Sequence, residues 1–557
     1  ERRVPYLHYY YTDYCLGRCG LKQTAHIAAN HSTWDLELED LSVESLLLIY
    51  SDFRTKSTRE NGREIIHFYS LREAFDVILS KLDNVDEAKR LRYARVYNKL
   101  KDFEDYMIEH GVHTDIADCA DSYPRECTEP VVPVRREYVL LDRSSVTEQI
   151  KYRAIDHNIR VMHRFGSEQL FSGLVEAARS ETDWKNVRTY ITILREYSTY
   201  MTDSQKALAL RYLYDNLAHP ESDIREQTAD TMGYIVSKYR EEYKKELPGD
   251  IPAPDDNITN ISLFREYLAL MLDPDRKYTE AHRKWITAST DFFVRAVTGN
   301  CRTSCIPRYF DILENYYMPK YYLAGSKMND AATEEKIIVL MNTALVTDAG
   351  ICTASFRKSI YDFARNVSGK VSKSVDLIAL EVLEHYGLIP SDEYDRRVRK
   401  ILDLSEGIIT DEQMSAMFLD NLKLHVTWNT KMANIKVMKQ NALEKADQSR
   451  LMQIATHFSN LIKVSETVTV RKEAGRALLD ITGRMTMDKR NELMLELFNG
   501  LERNDYQFSG LIPDYLGIVL LYLDPEELDE VIYEMGKMID SGTERAAEAA
   551  LDTLAIA

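Results

Sequence analysis

One unit recurs along most of this chain. A polar turn with Asp or Ser, then an arginine, then an alanine-rich amphipathic stretch appears as HPESDIREQTADTMGYIVSKY around Arg225 and as CTASFRKSIYDFARNV around Arg357. It returns as VSETVTVRKEAGRALLDITG around Arg471 and as DSGTERAAEAALDTLAIA around Arg545. The four arginines stand 132, 114 and 74 residues apart, separations that divide into units of 44, 38 and 37. A helix pair of that length cannot bury its apolar face alone, so successive pairs must stack and share a continuous core. The supply of residues agrees: 45% are hydrophobic, and only 21 glycines and 14 prolines interrupt 557 residues, which leaves room for long helices.

These segments resemble the second helix of HEAT repeats, in which an inward arginine and small alanines let neighbouring pairs stack closely. The resemblance implies an all-α, armadillo-like fold: a right-handed α-α superhelical solenoid over residues 147–557, whose concave face holds a protein partner or another domain of the same chain. Ahead of it, residues 1–111 read as a helical domain. The stretch 83–110 is one amphipathic helix, with Tyr93, Val96, Leu100, Phe103 and Met107 at steps of three and four. Asp83 or Asn84 can cap its start, and Gly111 stands where a left-handed C-terminal cap is expected. Residues 112–146, with Pro124, Pro130 and Pro133, break the periodicity and form a linker with room for one short strand. A loop insertion follows at 246–259 and a milder interruption at 324–329.

The net charge of −18 and an isoelectric point near 5.3 argue against a nucleic-acid backbone as the main partner, which needs a basic surface to release counterions. The basic run Arg90, Arg92, Arg95, Lys99 and Lys101 reads as a solvated helix face before it reads as a phosphate strip. No segment has the apolar length of a membrane span; the best run, 511–523, contains Pro513 and Asp514 and reads as a buried helix. Seven cysteines, an odd number with no secretory signal, fit a reducing cytoplasm. A first residue of Glu1 rather than methionine suggests a piece of a larger, bacterial-type multidomain protein.

Chemistry has one candidate segment, GLKQTAHIAANHSTWDLELEDLSVESLLLIYSDFRTK. It resembles the C-terminal half of an HD-domain metal-dependent phosphohydrolase, where a histidine ending one helix is followed about twenty residues later by an aspartate ending another. The matching positions are His31 and Asp52, 21 residues apart. The resemblance implies that Asp52 ligates a divalent metal (Mn, Fe, Ni or Zn) and that His31 binds a second metal or the substrate phosphate. A metal so held lowers the pKa of its bound water and makes the nucleophile for a phosphoester. The chain has no His-Asp dipeptide, which the family carries upstream, so the domain reads as incomplete. Cys15 and Cys19 with His8, His26 or His31, and the pair Cys301 and Cys305, are weaker zinc candidates; the latter pair is expected on one helix face. His110 and His113 read as a helix end.

The functional expectation is an interaction or regulatory scaffold. The alternatives are an HD-type phosphohydrolase acting on a nucleotide or other phosphoester, and a nucleic-acid-binding solenoid.

Overall fold

The computed structural model describes residues 12, 15–30, 41–60, 63–81, 87–115, 153, 157, 160, 164, 167–240, 258–317, 331–347, 351–367, 372–404, 409–424, 426–502 and 509–557. The N-terminal part contains α1 (Lys22–Asn30), α2 (Val43–Arg54), an antiparallel hairpin of β1 (Thr55–Glu60) and β2 (Arg63–Phe68), α3 (Leu71–Lys81) and α4 (Glu87–Glu109). The hairpin corrects the expectation of an all-helical first domain. Its signal is in the sequence: Asn61-Gly62 lies between the paired Glu60 and Arg63, and this dipeptide suits the two-residue turns whose twist matches paired strands.

The core of this part is Leu46, Ile49, Tyr50 and Phe53 of α2, Leu71 and Phe75 at α3, and Val96, Leu100, Phe103 and Met107 of α4. The stripe expected on the long helix is therefore the buried one. Gly111 follows that helix at φ 77°, the left-handed conformation that lacks a penalty only for glycine. The proposed caps Asp83 and Asn84, most of the 112–146 linker with its candidate strand, the 246–257 insertion and the 324–329 interruption lie outside the described residues.

From Glu168 onward every regular element among the described residues is a helix. The order is α5 (Glu168–Ser180), α6 (Trp184–Glu196), α7 (Asp203–Asn216), α8 (Ser222–Lys238), α9 (Asn260–Leu272), α10 (Glu280–Ala288), α11 (Thr290–Asn300) and α12 (Ile306–Ile312). Then come α13 (Ala331–Val346), α14 (Ala354–Val367), α15 (Lys373–His385), α16 (Ser391–Ile401), α17 (Asp411–Leu422) and α18 (Trp428–Lys445). The chain closes with α19 (Gln448–Val464), α20 (Val468–Thr482), α21 (Met487–Glu502), α22 (Ile512–Leu520), α23 (Pro525–Ser541) and α24 (Glu544–Ile556). Among these helices none is long and apolar enough to cross a membrane. The apolar 511–523 run is the buried helix α22, with Pro513 in its first turn, where a missing N–H costs nothing.

The helices pack in rows. An inner row runs in unbroken contact through α6, α8, α11, α13, α15, α18, α20, α22 and α24. Outer helices cover it: α5 packs on α7, α17 on α19 and α19 on α21, and each also lies against an inner partner next to it in the chain. Close approach within the inner row needs glycine. At Gly233 of α8 a Cβ would meet Ala296 Cβ at 2.6 Å and the Phe293 carbonyl oxygen at 2.7 Å on α11, and at Gly475 of α20 it would meet the Tyr515 ring of α22.

Two apolar clusters fill the space between the rows. The first extends from Phe171 to Leu383 and the second from Leu377 to Ala550. They meet on α15, which gives Val375, Ile378, Ala379 and Val382 to one and Leu377 and Leu380 to the other.

Candidate functional site

Asp52 sits in the last turn of α2 with its side chain exposed, and Lys56 Nζ donates to its backbone carbonyl at 3.1 Å. His31 lies outside the described residues. Among the described residues no group of three or more His, Cys, Asp and Glu is arranged to hold a metal ion. Arg54, two residues further along the same turn, is engaged away from Asp52. Its Nε donates to the Tyr69 carbonyl at 2.7 Å, and its Nη1 donates to Tyr50 Oη at 2.5 Å and to the Thr114 carbonyl at 2.6 Å. Tyr50 in turn donates to Glu104 at 2.6 Å, and burial, then that carboxylate, push its hydroxyl pKa up. These contacts make Arg54 a fastener between α2, the exit of the hairpin and the segment after α4.

The weaker candidates also resolve. Cys15 and Cys19 are exposed thiols, and none of the described cysteines is in a disulfide. Cys301 caps the C-terminus of α11 while Cys305 ends a separate turn at Thr303–Cys305, so the two do not share a helix face. His110 lies tilted against Tyr106, ring centroids 4.1 Å apart, and its Nδ1 meets the Tyr106 carbonyl at 2.8 Å, as suits a helix end. Lys101 of the basic run is paired with Glu104 and Asp105 at 2.8 Å each.

The richest concentration of charge lies elsewhere, where the inner row returns on itself. The first turns of α8 and α20 touch although 249 residues separate their contacting side chains. Arg471, 1% exposed, donates from Nη2 to Ser222 Oγ at 2.8 Å and lies 3.9 Å from Asp223. Lys472 donates to Glu226 at 2.8 Å. Next to them Arg225 donates from Nη1 to the carbonyls of His219 and Pro220 at 2.7 and 2.6 Å and lies over the Trp285 ring at 4.7 Å. Burial pushes the Arg225 pKa down to about 10, against the pull of Glu466, Asp223 and Glu221. Burial likewise lowers Arg471 and Lys431, the latter opposed by Glu466.

The sequence places these groups with some regularity. Arg225, Lys431 and Arg471 are each the fourth residue of their inner helices α8, α18 and α20, and none of the three has a side-chain cap at its N-terminus. Helix N-termini carry partial positive charge, so three converging ends with three cations need acids nearby, and Glu221, Asp223, Glu226 and Glu466 supply them. Two of the four arginines that marked the repeat thus meet each other. The other two lie elsewhere: Arg357 is also the fourth residue of its helix, but that helix is α14, beside the inner row, and Arg545 is the second residue of α24.

Charge continues along the polar side of the inner row. Arg195 of α6 pairs with Asp230 of α8, Arg295 of α11 reaches Glu226 and Asp230 at 3.6 and 3.9 Å, Lys436 of α18 pairs with Glu381 of α15, and Lys439 pairs with Asp480 of α20 at 3.0 Å. Deeper, Asp291 accepts from Asn342 Nδ2 at 2.6 Å and burial pushes its pKa up to about 6. No family model matches the chain, and no curated protein matches it in sequence.

Proposed function

We propose that residues 168–557 form a HEAT-type solenoid that acts as an interaction or regulatory scaffold, with a protein partner held against the polar face of the inner row. The observation that carries this reading is the uninterrupted contact of inner helices from α6 to α24, with ion pairs joining α6 to α8, α8 to α11, α15 to α18 and α18 to α20. Stacked helix pairs make long surfaces from short repeats, and their usual work is to hold another polypeptide. A face of alternating Arg, Lys, Asp and Glu selects a partner by charge complementarity rather than by apolar area. The free cysteines and the acidic balance fit a cytoplasmic setting.

The test is affinity capture with quantitative mass spectrometry, using the wild type, the inner-face variant Arg295→Glu and the outer-row variant Arg179→Glu. Arg295 is 40% exposed at its side chain and Arg179 is 38% exposed, so both substitutions fall on accessible charge. A partner of the inner face is lost with Arg295→Glu and kept with Arg179→Glu, and the purified pair shows Kd raised about tenfold or more, about 1.4 kcal/mol. If no captured protein depends on Arg295, the inner-face reading fails.

A further inference from the structure

We propose that the contact between α8 and α20 is a reversible clasp held by charge, and that the two apolar halves of the helical region open about α15 when it is released. This rests on the contacts at that joint and stands whether or not a partner uses the inner face.

The inner row makes a circuit. From α8 it passes through α11, α13, α15, α18 and α20, and α20 then touches α8 again. Around that circuit the joints are unequal. Between α8 and α11 the helices approach closely at Gly233 and share the apolar cluster of Met232, Val236, Phe293 and Val297. At α15 both clusters are seated on one helix. At the joint of α8 with α20 no apolar residue is shared: Ile224, Met232 and Val236 belong to the first cluster, while Val470, Ala474 and Leu478 belong to the second.

Hydrogen bonds and ion pairs cross that joint. Ser222, Asp223 and Glu226 face Arg471 and Lys472. Beside them Arg188 of α6 feels Arg471 and Asp514 electrostatically and lies near Gly510, and Arg225 feels Glu466. Apolar contact is lost with area and cannot be exchanged, whereas the charges of this joint, Lys472 at 38% exposure and Arg471 at 1%, regain hydration when the joint parts, which offsets the attraction they give up. The joint also brings together the positive ends of two helices, a repulsion that only its acids offset. A seam of this make-up, opposite a joint where both cores share one helix, is the place where the circuit can part without exposing core.

The experiment compares the full chain with Lys472→Glu, Lys472→Arg and, as a control off the seam, Lys439→Glu. Lys472 is 38% exposed at its side chain, so the chain tolerates substitution there, and a glutamate would face Glu226 across the joint. The clasp predicts that Lys472→Glu raises the radius of gyration by X-ray scattering. It also predicts about tenfold faster amide exchange in the first turns of α8 and α20, with α13 and α15 unchanged. Lys472→Arg keeps the pair and the compact form, and Lys439→Glu leaves both readouts at the wild-type value. Unchanged scattering and exchange in Lys472→Glu would overturn the proposal. So would loss of protection spread over both halves, because the seam would then be an inseparable part of the core.

Discussion

His457 shows how a single buried side chain sets a pH limit on this protein. It is 6% exposed, stacks on Phe418 at 4.1 Å, and accepts at Nε2 from Asn421 Nδ2 at 3.1 Å, while Asn434 Nδ2 donates to Asn421 Oδ1 at 3.0 Å. Acceptance at Nε2 requires a neutral ring with its proton on Nδ1, and burial pushes the pKa down to about 4. The unfolded chain protonates this ring near an ordinary value of about 6.5. Between those values the unfolded state binds a proton that the folded state refuses. The stability it contributes is therefore complete above about 6.5 and is lost as pH falls towards 4, by about 3 kcal/mol at most. Melting temperatures followed from pH 7 to pH 4 are expected to fall in the wild type and to fall less steeply in His457→Gln; equal slopes would rule this origin out. Packing makes a second residue-scale prediction. Gly233→Ala improves helix propensity by about 1 kcal/mol, yet its Cβ meets the Phe293 carbonyl, so a net cost of about 1–3 kcal/mol is expected. A denaturation midpoint equal to or above the wild type would contradict the close approach of α8 and α11.

Among the elements, the N-terminal part depends on Arg54. Two of its three hydrogen bonds tie α2 to the carbonyls of Tyr69 and Thr114, and the third goes to Tyr50 within α2. Arg54→Ala is expected to speed amide exchange at residues 112–115 and around Tyr69 while leaving α7 to α11 at the wild-type rate, and unchanged exchange at 112–115 would show that the arginine is not the anchor. The long helix α4 was legible in the sequence because Val96, Leu100, Phe103 and Met107 follow a helical period and Gly111 ends it. The hairpin was passed over although Asn61-Gly62 announces it, because alternation in Thr-Lys-Ser-Thr-Arg-Glu is almost entirely polar and gives no apolar face to detect. The carbonyls that Arg54 serves are 15 and 60 residues away in the chain. Local pattern does not carry that information.

At the scale of the whole molecule the repeated arginines were visible and their meeting was not. Arg225 and Arg471 stand out as matching units, and helical stacking follows from periodicity, but the curvature that brings units 249 residues apart into contact is a sum of small rotations that no single repeat encodes. Through α8 and α20 the inner row closes on itself. Zero-length carbodiimide cross-linking of the dilute protein tests this, since Lys472 Nζ and the Glu226 carboxylate lie 2.8 Å apart and need no spacer. Peptide mapping is expected to show an amide between residues 226 and 472 beside the control link between Lys439 and Asp480, 3.0 Å apart on neighbouring inner helices. Recovery of the control link without the one from 226 to 472 would contradict the closed inner row.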